Sequence, residues 1–224
     1  GLTQDDVDEL GRLSDIEYAE GSYLCDVLTG DEDNQKALRF ESLSENLNLV
    51  TVEEGCLPVK TGECLMDYEY ARKFGYKVGD TLHIKENLEE DEDAVLKTDT
   101  YTITGTCSSP LYIAFSRGNT DIGNGEISGF IYVPADTFDT DYYMQIYMKV
   151  QGAGDTTAYL EGYDTIVAGA KAQVESIEEE RCEARYAEIQ EEAREKVEEA
   201  RQELADGRQE ADEKLADAKQ ELAD

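Results

Sequence analysis

The sequence predicts an α+β fold in which a group of strands is followed by one long helix. Apolar and polar residues alternate in several short segments between residues 16 and 150, which is typical of strands. Clusters of Gly, Asn and Asp separate these segments. From Thr156 onward the apolar residues take helical spacing, and no further strand follows. Because the strands are grouped and do not alternate with long helices, the α+β class is favoured.

The predicted elements of the first half begin with a capped helix. Thr3 can cap this helix, because Asp6 lies three residues later and completes a short capping box. Gly75 is placed to end a second, two-turn helix. In chain order, the predicted elements are a helix at 2–13, a single strand at 16–29, a turn at 30–35, the hairpin partner of that strand at 36–43, short strands within 47–67, a helix at 68–75, a turn and strand at 76–84, and an acidic loop at 85–97.

The second half has fewer and longer segments. Residues 98–109 alternate most strongly and predict a strand. The elements after it are an apolar segment followed by a Gly/Asn-rich loop, a strand at 128–133, a short helix or turn at 135–141, a strand at 142–150, and a helix from Thr156 to the end.

The composition is strongly acidic, with 53 acidic and 20 basic residues and a net charge of -33. Nucleic acid is excluded as a partner, because its recognition needs a basic face. Anionic lipid headgroups would repel the chain for the same reason. The simplest interpretation is that the charge keeps the protein in solution. The alternative is a surface that binds cations or a basic partner.

Both ends of the sequence are abrupt. A folded pattern is already present at Gly1, and the "ELAD" repeat stops at Asp224 without a cap or a stop signal. The sequence holds no run of 18 apolar residues and no recognisable signal peptide. We therefore expect that the chain is one piece of a larger, membrane-anchored protein.

The sequence offers few residues for catalysis or metal binding. His83 is the only histidine, and no second ligand or nucleophile accompanies it. "GNGEISG" (123–129) faintly resembles a phosphate loop, but no strand precedes it and no helix follows, so a turn is favoured. The acidic segments 31–36 and 136–141 lack the frame of an EF-hand, and weak ion binding is the lesser alternative. We predict no catalytic residue, no metal site and no cofactor.

The five cysteines are scattered and contain no CxxC motif. Cys56 and Cys64 could bridge a loop, but the favoured interpretation is that the cysteines act as isolated small apolar residues. Cysteine usage therefore does not identify the cellular compartment.

One apolar cluster lies beside the Gly/Asn-rich loop, and we call it the contact patch. The simpler interpretation is a buried strand or a packing edge. The functional interpretation is a surface that binds a partner or ligand. The contact patch consists of Leu111, Tyr112, Ile113 and Phe115.

The terminal helix carries a narrow stripe of apolar and small residues at steps of three and four, averaging about 3.6, which predicts a nearly straight helix. Small residues bury little area, so we predict a partner helix, either a return arm or another copy. The alternative is a solvated single helix held by pairs such as Glu192–Lys196 and Glu210–Lys214. The predicted partner face consists of Ile189, Ala193, Val197, Ala200, Leu204, Ala211, Leu215, Ala218 and Leu222.

Three segments resemble a known family. They are "EEGCLPVKTGECLMD" (53–67), "FGYKVGDTLHI" (74–84) and "YTITGTCSSPLYIAFSRGNTDIGNGEISGFIYVP" (101–134). Together they look like the extracytoplasmic, MacB-like domain of MacB/FtsX-type ABC-transporter permeases, and most closely like the Gram-positive version, in which a coiled-coil arm follows the domain. The most specific pieces are Glu54 to Cys64 and the turn from Gly79 to Leu82.

The resemblance implies a position between membrane helices. A first transmembrane helix would precede Gly1, and the helix beyond Asp224 would fold back and return to further membrane helices. The implied parts are a porter-like α/β part formed by 1–45 and 98–170, a small β-rich insert at 46–97, and a truncated coiled-coil arm at 171–224.

The resemblance also implies a function without catalysis in this domain. A separate cytoplasmic ATPase subunit would hydrolyse ATP, and the change would pass through the membrane helices to this domain at the extracellular face of the cell membrane. The domain would then support export or act mechanically on an unknown cargo or extracellular partner, while its arm pairs with a second permease copy or a return helix. The alternative is a secreted or wall-anchored binding protein on a coiled-coil stalk. An acidic hydrolase ranks last.

Overall fold

The computed structural model describes residues 1–30, 34–88, 93–158 and 160–221, with side chains up to Ala211 and at Lys214. Parts of the predicted turn at 30–35 and of the acidic loop at 85–97 therefore lie outside the described residues, as does Leu222. The chain divides into two compact units, Gly1–Ala170 and Lys171–Asp224.

The predicted α+β class is confirmed by ten strands and three α-helices among the described residues. Short 3₁₀ turns lie at Pro110–Tyr112, Ala135–Thr137 and Ala153–Asp155. In chain order the elements are α1 (Gln4–Gly11), β1 (Ile16–Ser22), β2 (Leu24–Thr29), β3 (Lys36–Ser42), β4 (Thr51–Gly55), β5 (Glu63–Asp67), α2 (Tyr68–Phe74), β6 (Thr81–His83), β7 (Lys85–Glu86), β8 (Thr100–Ser108), β9 (Ile127–Val133), β10 (Gln145–Val150) and α3 (Glu161–Glu221).

Most strands form one mixed sheet with the order β4-β8-β5-β9-β3-β2-β7, and β6 also pairs with β8. The pairs β5/β8 and β3/β9 are parallel, and the other pairs are antiparallel. The predicted hairpin is present as β2 and β3, which pair from Leu24 opposite Glu41 to Thr29 opposite Lys36. Strand β5 thus lies between β8 and β9 in the sheet, although both of these strands come much later in the sequence.

The prediction of one strand over 16–29 is wrong. The chain leaves one sheet and enters another at Tyr23: β1 pairs with β10 in a separate two-stranded sheet, whereas β2 belongs to the large sheet. The backbone N–H of Tyr23 donates to Ser42 Oγ at 3.0 Å, and its ring stacks on Phe138 with the centroids 5.2 Å apart. Alternation continues through both strands, so the sequence carries no signal of the change of sheet.

The main core lies where α2 covers the sheet. Leu38, Phe40, Met66 and Tyr101 are among the side chains that are fully buried there. The predicted end of α2 is confirmed, because Gly75 takes a left-handed conformation with φ 80° and donates its N–H to the Ala71 carbonyl. A positive φ at this position favours glycine.

The four strands β4 to β7 and the helix α2 come from the predicted insert at 46–97. In the structure β5 lies between β8 and β9 of the same sheet. The division of residues 1–170 into a porter-like part and an insert stays a prediction, since one continuous sheet crosses its boundaries.

The helix α3 is continuous for 61 residues. On the predicted partner face, Ile189, Val197 and Leu204 are about half exposed, and Val197 has 51% of its surface accessible. Lys214 Nζ pairs with Glu210 at 2.6 Å, as the solvated-helix alternative expects, whereas Glu192 lies 3.6 Å from Arg185. The side chains of Leu215, Ala218 and Leu222 lie outside the described residues.

We expect Gly129→Ala in β9 to lower the free energy of unfolding by about 1–3 kcal/mol, through overpacking. A Cβ at Gly129 would lie 2.7 Å from ring carbons of Tyr70, so α2 would have to move away from the sheet. Urea unfolding followed by circular dichroism measures the change. Gly11→Ala is the control, because open space surrounds Gly11 at the end of α1; it should be neutral or stabilising by up to about 1 kcal/mol. Equal effects of the two substitutions would contradict this account.

Candidate functional site

The candidate site is the connection between β8 and β9, residues 109–126, which we call the β8–β9 loop. Its first turn begins at Ser109, whose Oγ accepts the N–H of Leu111 at 3.3 Å. The same Oγ lies 2.8 Å from the hydroxyl of Tyr132 in β9. The start of the loop is therefore tied to the strand that follows it.

Tyr112 forms a second attachment of the loop to the sheet. Its ring stacks on Phe130 with centroids 4.3 Å apart and an angle of 13° between the planes. Its hydroxyl donates a hydrogen bond to Glu41 of β3. Tyr112 is thus half-buried and acts as a packing residue, which agrees with the simpler of the two interpretations of the contact patch.

Arg117 forms the third attachment of the β8–β9 loop to the sheet, and it also holds the turn that precedes it in the loop. Its guanidinium donates two hydrogen bonds to Asp67, from Nε to Oδ2 at 2.8 Å and from Nη2 to Oδ1 at 3.1 Å. Its Nη1 donates to the carbonyls of Tyr112 and Ala114, both at 2.7 Å. The loop is therefore wrapped around one guanidinium group, which satisfies carbonyls that would otherwise need water.

Asp67 joins three elements through one carboxylate. It is the last residue of β5 and the cap of α2, where its Oδ1 accepts the N–H of Glu69 at 3.0 Å. It is buried, and its side chain is 3% exposed, against 13% for Arg117. The ion pair therefore fixes the end of a strand, the start of a helix and the β8–β9 loop to each other.

The tip of this anchored loop presents large apolar side chains to solvent. Ile113 is 91% exposed, Phe115 is fully exposed, and Leu111 is partly exposed. The structure thus divides the contact patch, because only Tyr112 packs inward. An apolar tip held at both ends has little freedom left to lose on binding, which favours association.

A groove of about 580 Å³ lies between this loop and α2. Such a volume is within the range of sites that take small groups or side chains. The groove is lined by Asp67, Glu69, Tyr70, Arg72, Lys73, Phe115, Arg117 and Ser128. Of these residues the sequence pattern indicated Phe115 alone, although an arginine inside a Gly/Asn-rich loop of a strongly acidic chain was a signal of a specific partner.

Glu41 lies in a cage of tyrosines beneath the loop. It is 3% exposed; besides Tyr112, the Tyr147 hydroxyl donates to it at 3.5 Å. Burial raises the pKa of Glu41 above its ordinary value, and hydrogen bonds from Tyr112, Tyr132 and Tyr147 together with the charge of Arg39 partly oppose this shift. The cage therefore holds a carboxyl group that binds its proton more readily than an exposed one.

The second limb of the loop is held by Arg39. Its Nε and Nη2 donate to Asp26 at 2.7 and 2.8 Å, and Nη2 also donates to the Asn119 carbonyl at 3.2 Å. An arginine thus supports each limb of the loop, with the exposed apolar residues between them.

The other sequence candidates are not brought together with this site. His83 is exposed, with its Nδ1 3.2 Å from Thr100 Oγ1. The first residues of the segment 123–129 form the predicted turn, with positive φ at Gly123 and Gly125, and Ile127 begins β9. In the part of the chain that the structure describes, no three His, Cys, Asp or Glu residues are grouped to hold a metal ion, and the five cysteines are unpaired.

No described helix combines the length and the apolar character that crossing a membrane requires.

Comparison with known proteins gives matches among solved structures alone. No family model matches the chain, and no curated protein does. One similar structure is the extracellular domain of the noncanonical ABC-type transporter YknZ from Gram-positive bacteria, at 11% identity and a TM-score of 0.44, covering 69% of this chain and 75% of that one. Another is the periplasmic region of MacB from Actinobacillus actinomycetemcomitans, at 11% identity and a TM-score of 0.41, covering 78% and 75%.

We expect Arg117→Met to lower the free energy of unfolding by about 3–5 kcal/mol, because it leaves the buried Asp67 carboxylate without its cation. The double variant Arg117→Met/Asp67→Asn should regain part of this loss, since Asn keeps the cap of α2 without a charge. Arg72→Met is the control, because Arg72 pairs with Glu69 on the surface, and it should leave the urea midpoint nearly unchanged. A double variant no more stable than Arg117→Met would show that the buried charge is not the cause.

The pH dependence of stability should reveal Glu41. Because the pKa of Glu41 is raised in the folded state, the native protein binds more protons than the unfolded chain between the ordinary value of 4.5 and the raised one. The contribution of Glu41 to the free energy of unfolding is therefore fully present below pH 4.5 and is lost as the pH rises through this interval.

Glu41→Gln removes this titration, so its stability relative to the wild type should increase as the pH rises from 4.5 to neutrality. Glu41→Ala leaves the tyrosine hydroxyls without an acceptor and should cost about 1–3 kcal/mol. Urea unfolding across this pH range makes the comparison, with Glu126→Gln at an exposed position of the same loop as the control. Parallel pH profiles for the wild type and Glu41→Gln would contradict the assignment.

Proposed function

We propose that this chain is the extracytoplasmic domain of an ABC-transporter permease and that it is not an enzyme. In this proposal the domain lies at the extracellular face of the cell membrane. It receives a conformational change from a cytoplasmic ATPase through membrane helices, and it supports export or acts mechanically on an extracellular partner. The support is the order of motifs from Glu54 to Pro134, together with the α+β fold.

One structural observation carries the mechanical part of the proposal. A mixed sheet domain is followed by a single helix of 61 residues, which amounts to about 90 Å of helix at a rise of 1.5 Å per residue. A continuous helix transmits displacement as a rigid element, which is how many coupled transitions are passed between parts of a protein. The half-exposed partner face of α3 supports pairing with a second permease copy or with a return helix.

The alternative is a secreted or wall-anchored binding protein with α3 as its stalk. The exposed apolar tip of the β8–β9 loop favours a binding role in either case. The genomic sequence on both sides of the chain separates the two. The permease requires about 20 apolar residues before Gly1 and, beyond Asp224, a helix that turns back toward further apolar spans. A cleavable signal and a wall anchor would instead support the stalk.

Purification of the full-length protein from membranes tests the coupling. We expect an ATPase subunit to accompany it, and we expect deletion of 180–224 to lower the response of ATP hydrolysis to the extracellular partner while the two subunits stay associated. Unchanged coupling after this deletion would contradict a mechanical role of the arm.

We expect the partner face to control any self-association of the chain. If α3 pairs with a second copy, the apparent mass in analytical ultracentrifugation should rise with concentration. Val197→Glu or Leu204→Glu should abolish this rise, because each places a charge in an apolar helix contact. Gln202→Glu is the matched control. Gln202 is exposed and lies away from the partner face, so the substitution adds the same charge outside the helix contact. A constant monomer mass would contradict pairing between copies and favour a return helix.

A further inference from the structure

We propose that the groove between α2 and the β8–β9 loop binds a peptide segment of a partner protein in which large apolar side chains stand beside carboxylates. Phe115 and Ile113 would contact the apolar side chains, and Lys73 would face a carboxylate. This inference rests on the proposed function for its setting outside the membrane, and it adds the chemistry of the partner.

The tip of the β8–β9 loop is apolar and yet exposed to solvent. A flexible loop could fold Ile113 and Phe115 against the domain and remove them from water. Here the four donor contacts of Arg117 and the stacking of Tyr112 hold the loop beside the tip, and both side chains remain exposed. Two neighbouring large apolar side chains that stay exposed on an anchored loop indicate a surface that a partner covers.

The groove has a local excess of basic groups. The groove contains three basic and two acidic residues, whereas the whole chain has 20 and 53. Arg117 is occupied by Asp67, and Arg72 pairs with Glu69 at 2.7 Å. Lys73 has its Nζ 5.2 Å from the centre of the Phe74 ring, and no carboxylate among the described residues pairs with it. Lys73 is therefore available to a carboxylate of the partner.

The same observations favour a peptide over the other occupants. A short peptide meets only the charges within about 8 Å of the groove at physiological ionic strength, whereas an anionic lipid surface would face the whole acidic chain, whose net charge is -33. A concave groove beside two projecting apolar side chains fits a short segment that offers apolar groups and carboxylates together.

The test uses fluorescein-labelled ten-residue peptides on a Gly/Ser background and the whole chain of 224 residues. The first peptide carries Leu-Phe between two pairs of Glu, the second replaces every Glu by Lys, and the third replaces Leu-Phe by Ser. We expect the first peptide to bind, as measured by fluorescence anisotropy, and to shift amide signals of the β8–β9 loop and α2 in NMR spectra. The second and third peptides should bind at least about tenfold more weakly.

Variants locate the binding. Phe115→Ser should weaken binding of the first peptide by about tenfold or more, and Lys73→Gln by about threefold, with a smaller dependence on salt. The matched controls are Val59→Ser and Lys60→Gln, which alter an exposed apolar side chain and an exposed lysine outside the groove and should leave binding unchanged.

Several results would overturn the proposal. With the peptides, these results are the absence of binding and of NMR shifts up to about 1 mM peptide, or equal binding of the acidic and basic peptides. With the variant, the result is an unchanged affinity of Phe115→Ser for the first peptide. Loop signals that change with protein concentration alone would indicate a second copy in the groove, and binding to vesicles of anionic lipid that depends on Phe115 would indicate a lipid surface. The outcome is separable from that of the proposed function. If the chain bound the peptide but its gene encoded no membrane helices, the proposed transporter function would be overturned and the proposal that the groove binds a peptide would stand.

Discussion

The buried ion pair between Asp67 and Arg117 is the constraint on which the candidate site depends. A carboxylate removed from water is costly unless cations and hydrogen-bond donors surround it. Asp67 meets this requirement with the guanidinium of Arg117 and the first turn of α2. Because the same guanidinium also binds carbonyls of the loop, the positions of β5, α2 and the loop cannot vary separately. The groove between α2 and the loop is therefore a consequence of this pair.

The loop is supported along its whole length, and this explains how an apolar tip stays exposed. Arg39 holds the far limb through Asp26 and the Asn119 carbonyl, and Tyr112 holds the near limb through Phe130 and Glu41. The interactions that fix the loop use its polar and aromatic residues, which leaves Ile113 and Phe115 without a role in the packing of the domain. Exposing these apolar side chains to water is unfavourable and does not stabilise the fold, so their position is best explained by contact with another molecule.

Local patterns in the sequence predicted the elements but not the pairs that build the site. Alternation located β8 and β9, and Gly75 marked the end of α2, because these signals depend on neighbouring residues. Asp67 and Arg117 are 50 residues apart and meet only because β5 lies between β8 and β9 in the sheet. No periodicity encodes that topology. The change of sheet at Tyr23 was missed for a related reason, since both strands alternate alike. Within the contact patch, alternation could not separate the inward Tyr112 from the outward Ile113, because a 3₁₀ turn follows neither period.

The strength of the anchored loop and the weakness of the helix face suit different tasks. Four of the nine residues of the partner face of α3 are alanines, so pairing buries less apolar area than a face of large residues alone would, at about 25 cal/mol per Å². In the proposed function, such pairing would break and reform as the domain moves with each cycle of ATP hydrolysis. The groove, in contrast, is set by a buried ion pair and should keep its shape through such motion. A partner bound at the groove would then be carried by a rigid surface, while the reversible contact lies in the arm. In the proposed function, recognition and movement would therefore lie in different parts of one chain.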